Sequence, residues 1–485
     1  MAHLQQLRKQ AKELLKAWRA GSPEALERIA PYDLTDRDPK LHLAQLVIAR
    51  ENGTESWPAL KAQIELGRLT REEAAAKLCD LALIDSFYRN RPVAIQRILT
   101  DHPDLPTSSI YLAALMGEAE AVERFLKDDP ALAMSKGGAA NREPLLYACF
   151  SWFFKHDEAL KPRFRRIARM LLDAGANPNA AYLWENWPLS ALYGAAGVIN
   201  DPETTILLLD AGANIDDNET GYHAAEEPGC HCLKLVLERG PNDLTLNQAL
   251  FRKIDFEDPE GLRLILGYVS PVGRIWEGGR TALHHAVLRG RSAEFVKILL
   301  EHGADPNQED EKGASSFHLA RLFGRDDLVG LMEQFGGSAE PETWDASRNA
   351  TYYEALGDAA AQGRLEALRN LLDKGLSVHG ESDDANEGPP TPLHQAAWRG
   401  RAEIVGELLS RGAYPNRKEC WYKATPLGWA LHGSINCPPS GETDYAECVR
   451  LLLNAGAEIP AGDWLDEEDA MSDEAREALA LFQAE

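Results

Sequence analysis

The sequence is short of positive charge, cysteine and uninterrupted apolar stretches, and each shortage closes off a class of function. Lysine and arginine number 51 against 76 aspartates and glutamates, leaving a net charge of −25 over 485 residues. Nucleic-acid binders hold phosphates with clustered Lys and Arg, so this balance argues against one. Seven cysteines, odd in number and scattered, make no disulfide framework and favour a reducing, cytoplasmic setting. No apolar run approaches the roughly 18 residues that a membrane-spanning helix needs, so no membrane span is expected. The opening MAHLQQLRKQAKELLKAW is amphipathic and lacks the apolar core of a secretory signal. GxSxG, P-loop, HExxH and dinucleotide fingerprints are missing too, and no cofactor is expected.

What is present is ordinary for a folded chain: 44% hydrophobic and 26% charged residues. It is organised as a repeat. Three segments share one phrase, LLDAGANPN (171–179), LLEHGADPN (299–307) and LLSRGAYPN (408–416), with looser copies at 207–216, 235–243, 371–379 and 451–460. A unit-ending glycine falls at Gly175, Gly212, Gly240, Gly267, Gly303, Gly336, Gly375, Gly412 and Gly456, about every 35 residues. A second phrase opens the unit: TALHHAVLRG (281–290), SSFHLARLFG (315–324) and TPLHQAAWRG (391–400). Small alanines let two antiparallel helices approach, and Gly290 or Gly400 suits a left-handed cap on the first. Apolar residues at three- and four-residue spacing in EFVKILLEHG mark the buried face of the second. Ala-Asp-Pro-Asn after Gly303 is turn chemistry.

These phrases resemble the ankyrin repeat, in which T-P-L-H opens an inner helix and a longer outer helix closes with G-A-D-P-N. The resemblance implies an all-α ankyrin-repeat solenoid of about eleven degenerate helix pairs with hairpin loops, from near Ala74 to near Gly462. It also implies that His284, His318 and His394 are structural and bond neighbouring backbone. Residues 1–67 carry no repeat and read as an N-terminal helical cap, with Leu4, Leu7, Ala11, Leu14 and Trp18 on one stripe covering the array. The block is similar to a segment ahead of many bacterial ankyrin arrays, which suggests a bacterial origin. The array is expected over 68–337, a linker over 338–350, the array again over 351–462, and an acidic capping helix over 463–485.

In this family ligands meet the concave side, built from inner helices and hairpin tips. Aligning on T-P-L-H places Tyr147, Ala191, Gln248, His285, Leu319, Asp358, Gln395 and Trp429 toward that side. The hairpin segments add Tyr182, Trp184, Glu185 and Trp187, then Tyr222 and His223, then Trp276, Glu277 and Arg280, then Trp421 and Tyr422. Large rings are costly to leave wet. Their recurrence at projecting tips reads either as a ligand face or as long insertions that fold back and bury their own aromatics. Cys230-His231-Cys232 lacks metal-ligand spacing and a partner pair, so no metal site is expected.

Two functions remain. The first is a binding protein whose concave aromatic and acidic surface holds a protein or peptide partner. Its contacts would be Tyr147, Tyr182, Trp184, Trp187, Tyr222, Trp276, Arg280, Trp421, Tyr422 and Trp429, with Glu185 and Glu277 selecting a cationic partner. The second is an enzyme acting on a hydroxylated or glycosylated small molecule, with acid–base work by His285, Asp358, Glu185, Glu277 or His223. His285 and Asp358 are two units apart and meet only if the groove is strongly curved. A deep closed pocket favours the enzyme; an open groove with a broad aromatic patch favours the partner protein.

Overall fold

The fold comes from a computed structural model that describes residues 2–35, 37, 39–66, 69–84, 92–184, 186–270, 275, 277–311, 313–338, 350–437, 442–460 and 471–484. Among the described residues eleven inner–outer helix pairs follow one another, from Arg71–Ala82 with Pro92–Asp101 to Pro426–Asn436 with Tyr445–Asn454. The chain divides into two compact units, residues 1–249 and 250–485. Among the described residues no helix is long and apolar enough to cross a membrane.

Each start and stop has a local cause. Thr281 and Thr391 are N-caps whose hydroxyls accept the backbone N–H of His284 and His394. In return the ring Nδ1 accepts the threonine's own N–H at 3.2 Å, so histidine takes the place of the usual Glu or Gln of a capping box. With Nδ1 accepting, the proton sits on Nε2. That atom donates to the next unit's loop, to the Ala314 carbonyl at 2.8 Å and the Ala424 carbonyl at 3.3 Å. The T-P-L-H ring therefore caps its own helix and staples the following unit.

The outer helices close on the expected glycines, as at Gly303 with φ 92°. Gly267 is the exception: it stays right-handed, with φ −71°. The final asparagine of the three clearest phrases is a second staple. Asn179, Asn307 and Asn416 donate to the carbonyls of Gly212, Gly336 and Gly456 in the following unit. Their side-chain oxygens accept the N–H of Asn214, Ser338 and Glu458 there. A sequence signature thus becomes a ladder of hydrogen bonds between successive turns.

In the first unit the helices Ala2–Arg19, Pro23–Ile29, Leu41–Glu51 and Trp57–Leu66 precede the repeats. The stripe Leu4, Leu7, Ala11, Leu14 and Trp18 is buried in a cluster with Ile29, Val47, Ile48 and Trp57, distinct from the cluster of the repeats. This corrects the expectation that the stripe covers the array: helix Leu41–Glu51 packs on Ala2–Arg19 and takes that face. The block meets the repeats through Trp57–Leu66, which packs on Pro92–Asp101. In the second unit the last helix, Asp473–Ala484, packs on Tyr445–Asn454 and buries Ala475 and Leu479. Residues 463–470 and most of the expected linker, 339–349, lie outside the described residues.

Candidate functional site

In the second unit three inner helices lie side by side: Ala350–Ala361 against Pro392–Trp398, and that against Pro426–Asn436. Small residues permit the approach. A Cβ on Gly433 would stand 2.3 Å from the Trp398 carbonyl oxygen, so a glycine is required there. Beside these helices runs a groove of about 1280 Å³, lined from Arg252 to His432. Most of its lining residues are half-buried, and Phe256, Tyr422 and His432 are exposed.

Its first chemistry is arginine. The inner helices end at Gly290, Gly324, Gly363 and Gly400, all left-handed, and an arginine follows each. Arg291 reaches the Glu257 carboxylate at 3.2 Å, and Arg325 donates to the Arg291 carbonyl at 3.2 and 3.3 Å. Arg364 donates to the Leu288 carbonyl at 2.5 Å and lies over the Phe323 ring. Arg401 donates to the carbonyls of Ala361 and Glu442. Arg289 and Arg399 flank two of these glycines on the other side, and Arg252 completes the row. The groove lining holds six guanidinium groups against three carboxylates, Asp255, Glu257 and Asp358.

These cations crowd one another. Burial, together with the charges of Arg325, Arg291 and Arg289, pushes Arg364 down to about 10 despite the opposing pull of Asp358. Burial and Arg399 likewise lower Arg401. The lining also holds rings. Trp398 stacks on His432 with centroids 5.5 Å apart and meets Trp429 nearly edge-on at 6.1 Å. Exposed Trp421 and Tyr422 stand on a rigid tip nearby in sequence. The buried Glu419 carboxylate accepts the backbone N–H groups of Trp421, Tyr422 and Ala424 at 2.7, 2.9 and 3.1 Å. Burial alone would raise Glu419; these three N–H groups outweigh it and lower it.

His285 and Asp358, two acid–base candidates of this unit, are tied down. His285 is buried, with Nε2 2.8 Å from Asp255 Oδ1. Arg289 bridges Asp255 at 2.8 Å and Asp358 at 3.0 Å. His285 and Asp358 are therefore linked through one carboxylate and one guanidinium, closer than their separation along the repeat suggests. Burial pushes Asp255 up, but the His285 hydrogen bond and the charges of His285 and Arg289 hold it far below the ordinary carboxylate range. Arg280 pairs with Glu354. Trp276, Glu185 and the side chain of Glu277 lie outside the described residues.

The family described as "Ankyrin repeats (3 copies)" matches residues 192–310, 250–334 and 356–463, together just over half of the chain. The chain belongs to the ankyrin-repeat family. It is 36% identical over 169 residues to human ankyrin repeat domain-containing protein 63, a match covering 34% of this chain and 40% of that protein. To the Caenorhabditis elegans homologue of transient receptor potential cation channel subfamily A member 1 it is 26% identical over 160 residues, 33% of this chain and 12% of the other. It thus spans less than half the length of these relatives. The crystal structure of the human ASB11 ankyrin repeat domain aligns at 23% identity and a TM-score of 0.27, over 48% of this chain and 96% of that one. These relatives are eukaryotic and lend the expected bacterial origin no support.

In the first unit of this ankyrin-repeat protein, the aromatic candidates divide. Tyr147 is wholly buried, not presented to a ligand: its hydroxyl donates to the Gly137 carbonyl at 2.8 Å and accepts the Ala140 N–H at 3.0 Å. The 137–140 loop has folded over it, and burial pushes its hydroxyl up to about 12. Tyr182 is also buried, edge-on to Phe150 and with the Arg142 guanidinium 3.4 Å from its ring centroid. In the hairpin Ala181–Trp184 with Trp187–Ser190, Trp184 packs on the core while Trp187 is 56% exposed. Tyr222 is half-buried against His223. Burial lowers His223, but Glu219 and Glu226 on either side overcome it and raise it to about 9, so it is a fixed cation at neutral pH.

Sequence reasoning passed over Arg252, Asp255, Arg289, Arg291, Arg364, Trp398, Arg399, Arg401 and His432, which line the groove. A signal was there: Arg-Gly-Arg stands at 289–291 and 399–401, and Gly-Arg at 324–325 and 363–364. The chain's overall acidity conceals it. The lining of this groove is aromatic and basic, while Glu185 and the Glu277 side chain, on which the acidic reading rests, lie outside the described residues.

Proposed function

We propose that this ankyrin-repeat protein is a protein-interaction module whose second unit seats an extended segment of a partner protein beside Trp398 and Trp429. The size of the groove carries the reading: at about 1280 Å³ it exceeds the roughly 300–1,000 Å³ of small-molecule pockets, and Phe256, Tyr422 and His432 in its lining are exposed. Half-buried indoles such as Trp398 and Trp429, with exposed Tyr422 in the same lining, are the anchors that interfaces favour. Catalysis has less support, because His285 and Asp358 are both engaged in the ion-pair chain through Asp255 and Arg289. The cytoplasm is the compartment proposed, on the strength of seven cysteines that form no disulfide among the described residues. The test is selection of binding peptides from a random displayed library on the full chain. Peptides that lose binding to Trp398→Ala and Trp429→Ala support the groove; peptides indifferent to both changes refute it.

A further inference from the structure

We infer that Glu419 is a positioning residue for binding: from its buried site it holds Trp421 and Tyr422 outward as a second anchor, against which the partner segment sets an apolar side chain. This rests on the groove being the binding face, since Tyr422 lines it, and adds how that face is extended and what the segment carries.

Two loop tips of this unit are built alike and end differently. Asp310 precedes the N-cap Ser315 by five positions; its N–H donates to the Ala314 carbonyl, and its Oδ1 accepts the Ala314 N–H at 2.9 Å. Left-handed Gly313, φ 79°, makes the turn, and Glu311 beside it is an ordinary exposed charge. Glu419 precedes the N-cap Thr425 by six positions, so its tip is one residue longer. Its N–H likewise donates to the Ala424 carbonyl, and Lys423, φ 55°, takes the left-handed place. A glutamate, one methylene longer than aspartate, spans the longer tip: besides the Ala424 N–H it accepts those of Trp421 and Tyr422. The parallel pairing of Glu387–Gly388 with Lys418–Glu419 and the Lys423–Glu387 ion pair brace the tip from the preceding loop. Where the first tip presents a charge and a glycine, this one presents Trp421 at 69% and Tyr422 at 81% exposure. Rings so exposed add little to the packing of the stack, and an apolar side chain laid against them takes their surface out of water. A backbone fixed by three hydrogen bonds has little freedom left to lose on binding, the condition under which exposed rings act as anchors.

The test uses the full chain in two assays. In amide hydrogen exchange of the free protein, Glu419→Gln should speed exchange of the Trp421 and Tyr422 N–H groups at least about tenfold. In fluorescence anisotropy the probe is the tightest peptide selected on the chain from a random displayed library. Trp421→Ala together with Tyr422→Ala should weaken it about tenfold or more with an unchanged melting temperature. Glu419→Gln should weaken it about fivefold, and Glu419→Asp, the gentler variant that keeps the charge and shortens the reach, by less. On top of the two alanines, Glu419→Gln should add less than about twofold, because it acts through the rings. Serine in place of one apolar residue of the peptide should also lose most of its effect once the rings are gone. An equal loss from Glu419→Gln with and without the rings would make the residue structural and overturn the inference, as would unchanged exchange or a peptide in which no apolar residue couples to the tip. A peptide that needs Trp398 but ignores both tip rings overturns the inference and leaves the groove standing. One that needs the tip rings but ignores Trp398→Ala and Trp429→Ala sinks the groove and keeps the tip.

Discussion

His394 makes the second unit acid-sensitive in a calculable way. Its ring is buried, accepts from the Thr391 N–H through Nδ1 and donates through Nε2 to Ala424 of the next loop, so both nitrogens are committed while it is neutral. Burial lowers its proton affinity most; the Arg417 charge adds to this, and the pull of Glu419 and the backbone hydrogen bonds does not restore it, leaving it at about 4. A free imidazole titrates near 6.5. The stabilisation from the neutral ring is therefore complete above pH 6.5 and is lost as pH falls toward 4. At pH 5 the unfolded ring is nearly all protonated and the folded ring largely neutral, which costs about 2 kcal/mol relative to pH 7. His284 is lowered in the same sense, also chiefly by burial. The assay is urea unfolding at pH 7, 6 and 5 for the natural chain and for His394→Gln. Groups common to both cancel in the difference. The variant should be less stable at pH 7 but lose about 2 kcal/mol less on going to pH 5. Parallel losses in the two proteins would refute the reasoning.

Two further outcomes follow from packing. Tyr147→Phe removes a hydroxyl bonded to Gly137 and Ala140 and should cost about 1–3 kcal/mol in thermal denaturation while leaving peptide binding untouched; weakened binding with unchanged melting would return that ring to the ligand face. Gly433→Ala puts a methyl 2.3 Å from the Trp398 carbonyl and should lower stability by about 1–3 kcal/mol, read from the urea midpoint, because two helices must separate. An unchanged midpoint would mean that the helices are not held so close.

Much of the fold was legible in short phrases because they act locally. Thr-x-x-His is a cap whatever surrounds it, and Gly303 ends its helix through its own backbone freedom. The candidate site was legible only in part. Tyr422 and Trp429, which line the groove, were among the candidates because rings at a hairpin tip or on an inner helix face stand out in any alignment of the units. Tyr147 was misplaced because nothing in its neighbours announces that the 137–140 loop closes over it. The arginines were missed because each looks like one more surface charge, outnumbered over the whole chain.

By itself, then, the sequence determined the repeat, its helix pairs and the histidine staples, since each depends on groups within one unit and the next; the asparagine staples emerged only from the structure. Tertiary structure alone decided the sign of the groove and the fate of each ring. Charge in a groove is a local sum over residues as distant in sequence as Arg252 and Arg401, and burial depends on which loop folds over which ring. Periodicity records neither, because both arise only when separate units are brought side by side.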